Sequence, residues 1–145
     1  MNTSKQTTDT KDRKVVLSTL WIFVTLNYLY GDLAMMIFRP AAYERIAARM
    51  TEGLVLGAAA LMEVPIAMIL LSRVLKFGVN RWTNIVAGVV MTAFDSLTLL
   101  GGRPPAFYLF LSTIEIACTL FIVWYAWTWP NLSLNSDPAA CGRAG

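Results

Sequence analysis

The chain has no histidine and only two cysteines among its 145 residues. Without histidine, a His-ligated haem and a histidine general base are excluded. Cys118 lies in an apolar stretch and Cys141 near the C-terminus, with no CxxC motif, so neither a disulfide framework nor a zinc site is indicated. We therefore expect no cofactor.

Charge is also scarce, because charged residues make up 14% of the chain and hydrophobic residues 57%. A soluble globular chain has about 25% charged residues. The charges collect at the ends and in three short segments, which leaves four long apolar stretches at residues 15–38, 52–73, 82–101 and 106–129. Each has about the 20 residues that a helix needs to cross roughly 30 Å of hydrocarbon. The composition predicts an all-α integral membrane protein, a bundle of four transmembrane helices in one domain.

The segments outside these stretches are polar. Residues 1–14 and 130–145 lack apolar periodicity, and we expect both to be disordered tails. The first apolar stretch is longer than the apolar region of a signal peptide and has no small-x-small cleavage site after it, so we expect it to be retained. RPAAYERIAARM (39–50) predicts a short amphipathic helix at the lipid interface between the first two spans, with a solvated loop as the alternative.

The basic residues favour one orientation. An even number of spans places both termini on the same side, and eight basic residues fall on that side against four on the other. The eight are Lys5, Lys11, Arg13, Lys14, Arg73, Lys76, Arg81 and Arg143, and the four are Arg39, Arg45, Arg49 and Arg103. The positive-inside rule then predicts N-in and C-in. The net charge of +3 follows from this bias, so we expect the lipid bilayer and no nucleic acid as a partner.

Four acidic residues interrupt the apolar stretches, one in each: Asp32, Glu63, Asp95 and Glu115. A charged side chain at the centre of a membrane helix costs about 2.5–3.5 kcal/mol, so such residues normally face a bundle interior or a wet cavity. Counted from the ends of the spans, Asp32 and Asp95 lie roughly 9 Å deep and Glu63 and Glu115 roughly 15–16 Å deep. The matching depths predict one polar site opening away from the termini, with Glu63 and Glu115 as its central pair.

Polar neighbours extend this predicted site. Tyr28 and Asp32 are four residues apart and share a helix face, and Asn27 lies beside them in the same turn. Pro65 removes a backbone donor two residues after Glu63 and is expected to open a carbonyl group toward the cavity. Small residues in VLGAAA (55–60) and VAGVV (86–90) are expected to permit close helix packing.

Two pairs of segments suggest an internal repeat. LMEVPIAMILL (61–71) and TIEIACTLFIV (113–123) each carry a glutamate at the third position, and NYLYGDLAM and VMTAFDSLT each carry an aspartate near an aromatic residue. The pattern predicts two similar two-helix halves, related by an axis along the membrane normal.

The chain resembles a family of small bacterial four-helix membrane proteins of unknown function, in the stretches LSTLWIFVTLNYLYGDL (17–33), LGAAALMEVPIAMILLSRVLKFGVNRWTNIVAG (56–88) and YLFLSTIEIACTLFIVWYAWTW (108–129). The resemblance covers about residues 16–129 and implies a four-span protein of the bacterial inner membrane. It implies that Asp32, Glu63 and Glu115 belong to the family pattern, and it does not extend to Asp95. It names no reaction.

Three functions agree with these features. In the first, acids without basic partners bind or transport a proton, a metal cation or a cationic or amphiphilic small molecule. Its predicted site residues are Glu63, Glu115, Asp32, Asp95, Asn27 and Tyr28. A homodimer is expected in this case, because one bundle of this size is small for a complete transport path.

The other two functions use the acids differently. A membrane-embedded acid–base enzyme would act on a lipid-soluble substrate, in epoxide opening or in isoprenoid or polyketide cyclisation, with Glu63, Glu115 and Asp32 as catalytic residues. A non-catalytic membrane subunit or assembly factor would keep the acids protonated and hydrogen-bonded across helix interfaces. The sequence alone leaves all three open.

Overall fold

A computed structural model describes the backbone of residues 3–100 and 104–129, with side chains from Thr8 onward. These ranges form five α-helices and no strand: α1 (Thr3–Phe38), α2 (Pro40–Ala47), α3 (Glu52–Val74), α4 (Phe77–Leu100) and α5 (Ala106–Trp127). Residues Thr8–Phe38 of α1, together with α3, α4 and α5, are long and apolar enough to cross a membrane. The predicted all-α bundle of four membrane-spanning helices is confirmed.

The helix ends differ from the predicted spans. Helix α1 begins at Thr3, so the expected disordered tail over residues 1–14 does not hold from Thr3 onward. Contacts with its own side chains and with α5 support this extension: Arg13 Nε lies 3.4 Å from Asp9 Oδ2, and the Arg13 guanidinium lies 5.0 Å from the centre of the Tyr125 ring. The second predicted tail, residues 130–145, lies outside the described residues.

Helix α2 is the short amphipathic helix predicted between the first two spans. Pro40 occupies its first position, where a missing backbone N–H breaks no helical hydrogen bond. None of its residues is buried, so it lies on the outside of the bundle. Thr51 then caps α3, because its hydroxyl accepts a hydrogen bond from the Leu54 amide at 3.4 Å.

The four long helices form a closed ring of neighbours in the order α3, α1, α5, α4. The start of α1, the turn between α3 and α4 and the end of α5 meet at one end of this ring. Lys14 Nζ donates to the Leu75 carbonyl at 2.6 Å, and Arg81 Nη2 donates to the Trp127 carbonyl at 3.0 Å. The packing is most extensive within the α1–α3 and α4–α5 pairs, which are the two predicted halves; the similarity of these halves stays a prediction.

Gly88 is a point of close approach between α4 and α5. A Cβ atom built on Gly88 would lie 2.6 Å from Val123 Cγ2 and 3.3 Å from the Thr119 carbonyl oxygen. The close packing expected at residues 86–90 is thus present. Within residues 55–60, where close packing is also expected, a Cβ atom on Gly57 would meet nothing within 4 Å, so Gly57 is not a point of close approach in the described bundle.

We expect Gly88→Ala to lower the free energy of unfolding by about 1–3 kcal/mol, because the added methyl group forces α4 and α5 apart. Thermal unfolding of the detergent-solubilised protein measures this loss. Gly57→Ala is the matched control, and its added methyl group has free space. Equal unfolding midpoints for the two variants would contradict the close approach at Gly88.

Candidate functional site

Asp95 on α4 and Glu115 on α5 are the two buried acids among the four that the sequence places in the spans. Their exposed fractions are 4% and 5%. The Tyr28 hydroxyl on α1 donates a hydrogen bond to Asp95 Oδ2 at 2.7 Å, and Tyr28 is itself buried. We call Tyr28, Asp95 and Glu115 the acid site.

Helical periodicity brings these side chains together. The buried residues of α4 recur every three or four positions, as do those of α5, so each helix has one inward stripe. The stripes are Asn84, Gly88, Met91 and Asp95 on α4, and Leu111, Glu115, Thr119, Ile122 and Ala126 on α5. On α1 the buried positions Leu17, Trp21, Val24 and Tyr28 follow the same rule. The acid site lies where the three stripes meet.

A pair of threonines shows that Asp95 and Glu115 are level with each other. Thr92 Oγ1 on α4 donates to Thr119 Oγ1 on α5 at 2.8 Å. Thr119 Oγ1 in turn donates to the backbone carbonyl oxygen of Glu115 at 3.0 Å. Because α4 and α5 run in opposite directions, three residues forward from Thr92 and four residues back from Thr119 reach heights that agree to about 1.5 Å. These positions are Asp95 and Glu115. The unequal depths predicted for them are therefore wrong.

Asp32 lies at the edge of the acid site. It is exposed, and it follows Tyr28 by one helical turn on the side away from the chain termini. Glu115 is within electrostatic range of both Asp32 and Asp95, and Tyr108 is within range of all three carboxyl groups. Asp32 therefore lies at the edge of the acid site. Tyr108, which is not among the predicted site residues, lies near the same carboxyl groups.

Glu63 is not brought to Glu115. Its side chain is exposed on α3, a helix that packs against α1 and α4. Pro65, two residues later and about 200° further around the helix, is buried instead. The expectations that Glu63 faces the interior and pairs with Glu115 are wrong, because depth along a span does not determine which way a side chain points.

Asn27 also lies apart from the buried acids. It is half-buried, and its Nδ2 donates to the Phe23 carbonyl within α1 at 3.5 Å. This bond holds the amide against its own helix. Within the described residues, Asn27 makes no hydrogen bond to Asp95 or Glu115.

A buried amide network lies nearer the chain termini and was missed by the sequence analysis. Asn84 Oδ1 accepts from Trp21 Nε1 at 2.8 Å and from Ser72 Oγ at 3.2 Å, and Asn84 Nδ2 donates to Asn80 Oδ1 at 2.7 Å. Asn80 Nδ2 in turn donates to the Ser72 carbonyl at 2.7 Å. The network links α1, α3 and α4. The four-residue spacing of Asn80 and Asn84 was the available signal, since it places both amides on one helix face.

An apolar layer separates the amide network from the acid site. Met91 and Ile122 are fully buried there, and Gly88 packs against Val123. Eleven residues separate Asn84 from Asp95, a rise of roughly 16 Å along α4. The described bundle therefore has two polar regions, the amide network and the acid site, with an apolar layer between them.

The acid site contributes the oxygen atoms of two buried carboxyl groups. Within the ranges that the structure describes, no three acidic, cysteine or histidine side chains lie close enough to hold a metal ion. The ion pair in those ranges joins Asp9 and Arg13, at the far end of α1. The chemistry that the site offers is that of two carboxyl groups, a tyrosine hydroxyl donor and threonine hydroxyls one turn away.

We expect Tyr28→Phe to lower the free energy of unfolding by about 1–3 kcal/mol, because it leaves the buried Asp95 carboxyl without its donor. The comparison is with Tyr30→Phe, two residues away, since Tyr30 is 60% exposed. Thermal unfolding in detergent measures both variants. A loss as large for Tyr30→Phe would show that the Tyr28–Asp95 bond contributes nothing specific.

The comparisons with known proteins agree with the resemblance in the sequence. A family model described as a family of unknown function, DUF6326, matches residues 5–136. No curated protein matches the chain, and neither does any solved structure. The match covers most of the chain and includes every residue of the acid site. The chain therefore belongs to DUF6326, a family of unknown function.

Proposed function

We propose that this protein binds a cation, either a proton or a cationic organic molecule, at the acid site within the membrane. The observation that carries the proposal is the burial of Asp95 and Glu115 side by side, without a basic side chain bonded to either among the described residues. A buried carboxylate is costly unless it is paired or neutralised. A bound cation neutralises the charge of a buried carboxylate. Release of the cation leaves that charge without compensation.

The ligand set favours a proton or an organic cation over a metal ion. A calcium-type ion takes six to eight oxygen ligands and usually several carboxylates. The described residues provide two buried carboxyl groups and no group of three. Tyr28 bonds to Asp95 and Tyr108 lies within electrostatic range of the acids, and aromatic rings are residue types that attract organic cations.

The end of the bundle that carries Asp32 is the proposed entrance. Asp32 is exposed and within electrostatic range of Glu115, so its charge attracts a cation toward the buried pair. In the opposite direction lie the apolar layer at Gly88 and Ile122 and then the amides of Asn80 and Asn84, which already bond to each other. Binding from one side is thus the first step, and transport would need the apolar layer to open.

We expect Glu115→Gln and Asp95→Asn each to weaken binding of the lipophilic cation tetraphenylphosphonium by at least about tenfold, equivalent to roughly 1.4 kcal/mol. Titration of the purified protein by calorimetry, at fixed pH and in the same detergent, measures the affinity. Proton release on binding, followed in weak buffer, reports whether the cation displaces a proton.

Glu63→Gln is the matched control, because it removes an acid from a span without touching the buried pair. It should bind as the unmodified protein does. Unchanged affinity in both buried-acid variants would refute the proposal and favour the non-catalytic subunit, in which the acids only specify helix pairing. The homodimer expected from the chain length stays a prediction.

The Tyr28–Asp95 hydrogen bond favours a second candidate, an acid–base enzyme acting on a lipid-soluble substrate. A hydroxyl donor 2.7 Å from a carboxyl group, with Glu115 beside it, can deliver and accept protons without histidine. The exposed Glu63 has no place in such a set. Incubation with isoprenoid epoxides, followed by mass spectrometry of the extracted products, tests it. Products formed by the unmodified protein and lost in Tyr28→Phe would support the enzyme, and equal products from Glu115→Gln would exclude it.

A further inference from the structure

Two basic side chains from distant parts of the chain are held together at the end of the bundle where α1 begins. Lys14 Nζ donates to the Leu75 carbonyl at 2.6 Å and lies 3.4 Å from the Arg73 carbonyl. Arg73 Nε donates to Ser18 Oγ at 3.0 Å, and Ser18 Oγ donates to the Ile69 carbonyl at 2.9 Å. Each of these partners is a neutral oxygen, so the bonds position both cations and neutralise neither.

Two further cations complete a basic surface, which we call the turn patch: Lys11, Lys14, Arg73 and Lys76. Lys11 is exposed and precedes Lys14 by three residues, which places both on one face of α1. Lys76 is exposed in the turn between α3 and α4. Among the described residues, the carboxylate in an ion pair here is Asp9, and it pairs with Arg13. The turn patch therefore carries uncompensated positive charge.

We propose that the turn patch binds the phosphate headgroup of an anionic phospholipid. The Arg73 guanidinium uses Nε on Ser18, which leaves its two terminal nitrogens to hold a phosphate group in a bidentate manner. Lys14 is fixed beside it and adds a second charge. Because both side chains are already held by the protein, lipid binding does not have to order them.

The position of the turn patch fits a lipid better than a free anion. Helix α3 ends at Val74 and α4 begins at Phe77, so the turn patch lies where these spans leave the apolar region. Within about one turn of it, Leu70, Val74 and Val79 are exposed on the same two helices and offer a surface to acyl chains. Exposed Trp82, in the second turn of α4, is a residue type that favours the headgroup level. Charge and apolar surface are therefore continuous, as a phospholipid requires.

The test measures phosphatidylglycerol binding to the purified full chain by native mass spectrometry, with phosphatidylcholine as the zwitterionic comparison. We expect phosphatidylglycerol to bind more tightly, and Lys14→Gln and Arg73→Gln each to weaken it roughly fivefold. Arg45→Gln is the matched control: it removes an exposed arginine from α2, at the other end of the bundle. It should leave the affinity unchanged.

A Lys76 variant and a competition experiment test the turn patch further. Lys76→Gln removes a charge from the turn patch without breaking any hydrogen bond that the structure shows, and it should also weaken phosphatidylglycerol binding even if Arg73→Gln unfolds. Competition with inorganic phosphate distinguishes a lipid headgroup from a free phosphate ion as the ligand. Full displacement of phosphatidylglycerol by inorganic phosphate would overturn the lipid assignment. Equal affinity of Lys76→Gln and the unmodified protein would overturn the role of the turn patch. None of these outcomes depends on the acid site.

Discussion

The approach of α4 to α5 at Gly88 is the contact on which the polar interior depends. With only a hydrogen atom at this position, the α4 backbone lies against the Thr119 carbonyl and the Val123 side chain of α5. One turn further along, the same proximity lets Thr92 reach Thr119, and this pair in turn sets Asp95 level with Glu115. A larger residue at Gly88 would separate the helices and remove the enclosure that makes two carboxyl groups a site.

The two polar regions of the interior differ in how many of their polar groups have hydrogen-bond partners. At the end with the chain termini, the side chains of Asn80, Asn84 and Trp21 bond to one another and to Ser72, so that region is internally satisfied and acts as a structural link. In the acid site, Tyr28 donates a hydrogen bond to one of the two buried carboxyl groups, that of Asp95. The unequal satisfaction of the two regions is the physical reason to assign ligand binding to the second.

The four spans could be predicted because apolar length is a property of the chain alone. Which acids are buried could not, since burial depends on the rotation of each helix about its axis. Glu63 illustrates this: it lies deep along α3, yet Pro65 rather than Glu63 occupies the inward stripe. Asp95 was assigned to a shallower level than Glu115 because depths were counted from span ends, whereas the register of α4 on α5 is determined by packing at Gly88 and Thr92. The sequence does not predict the helical start of α1 for a related reason. The contact of Arg13 with Tyr125 exists only in the folded bundle.

Binding and transport make different demands on this architecture. In the proposed function, a cation would enter beside the exposed Asp32 and then reach the buried Glu115 and Asp95. A cation that continued would have to pass Met91 and Ile122, which are fully buried, and the tight contact of Gly88 with α5. Opening that contact would also weaken the Thr92–Thr119 bond that keeps the two acids level. If the protein also transports the bound cation, opening the apolar layer would therefore change the geometry of the acid site.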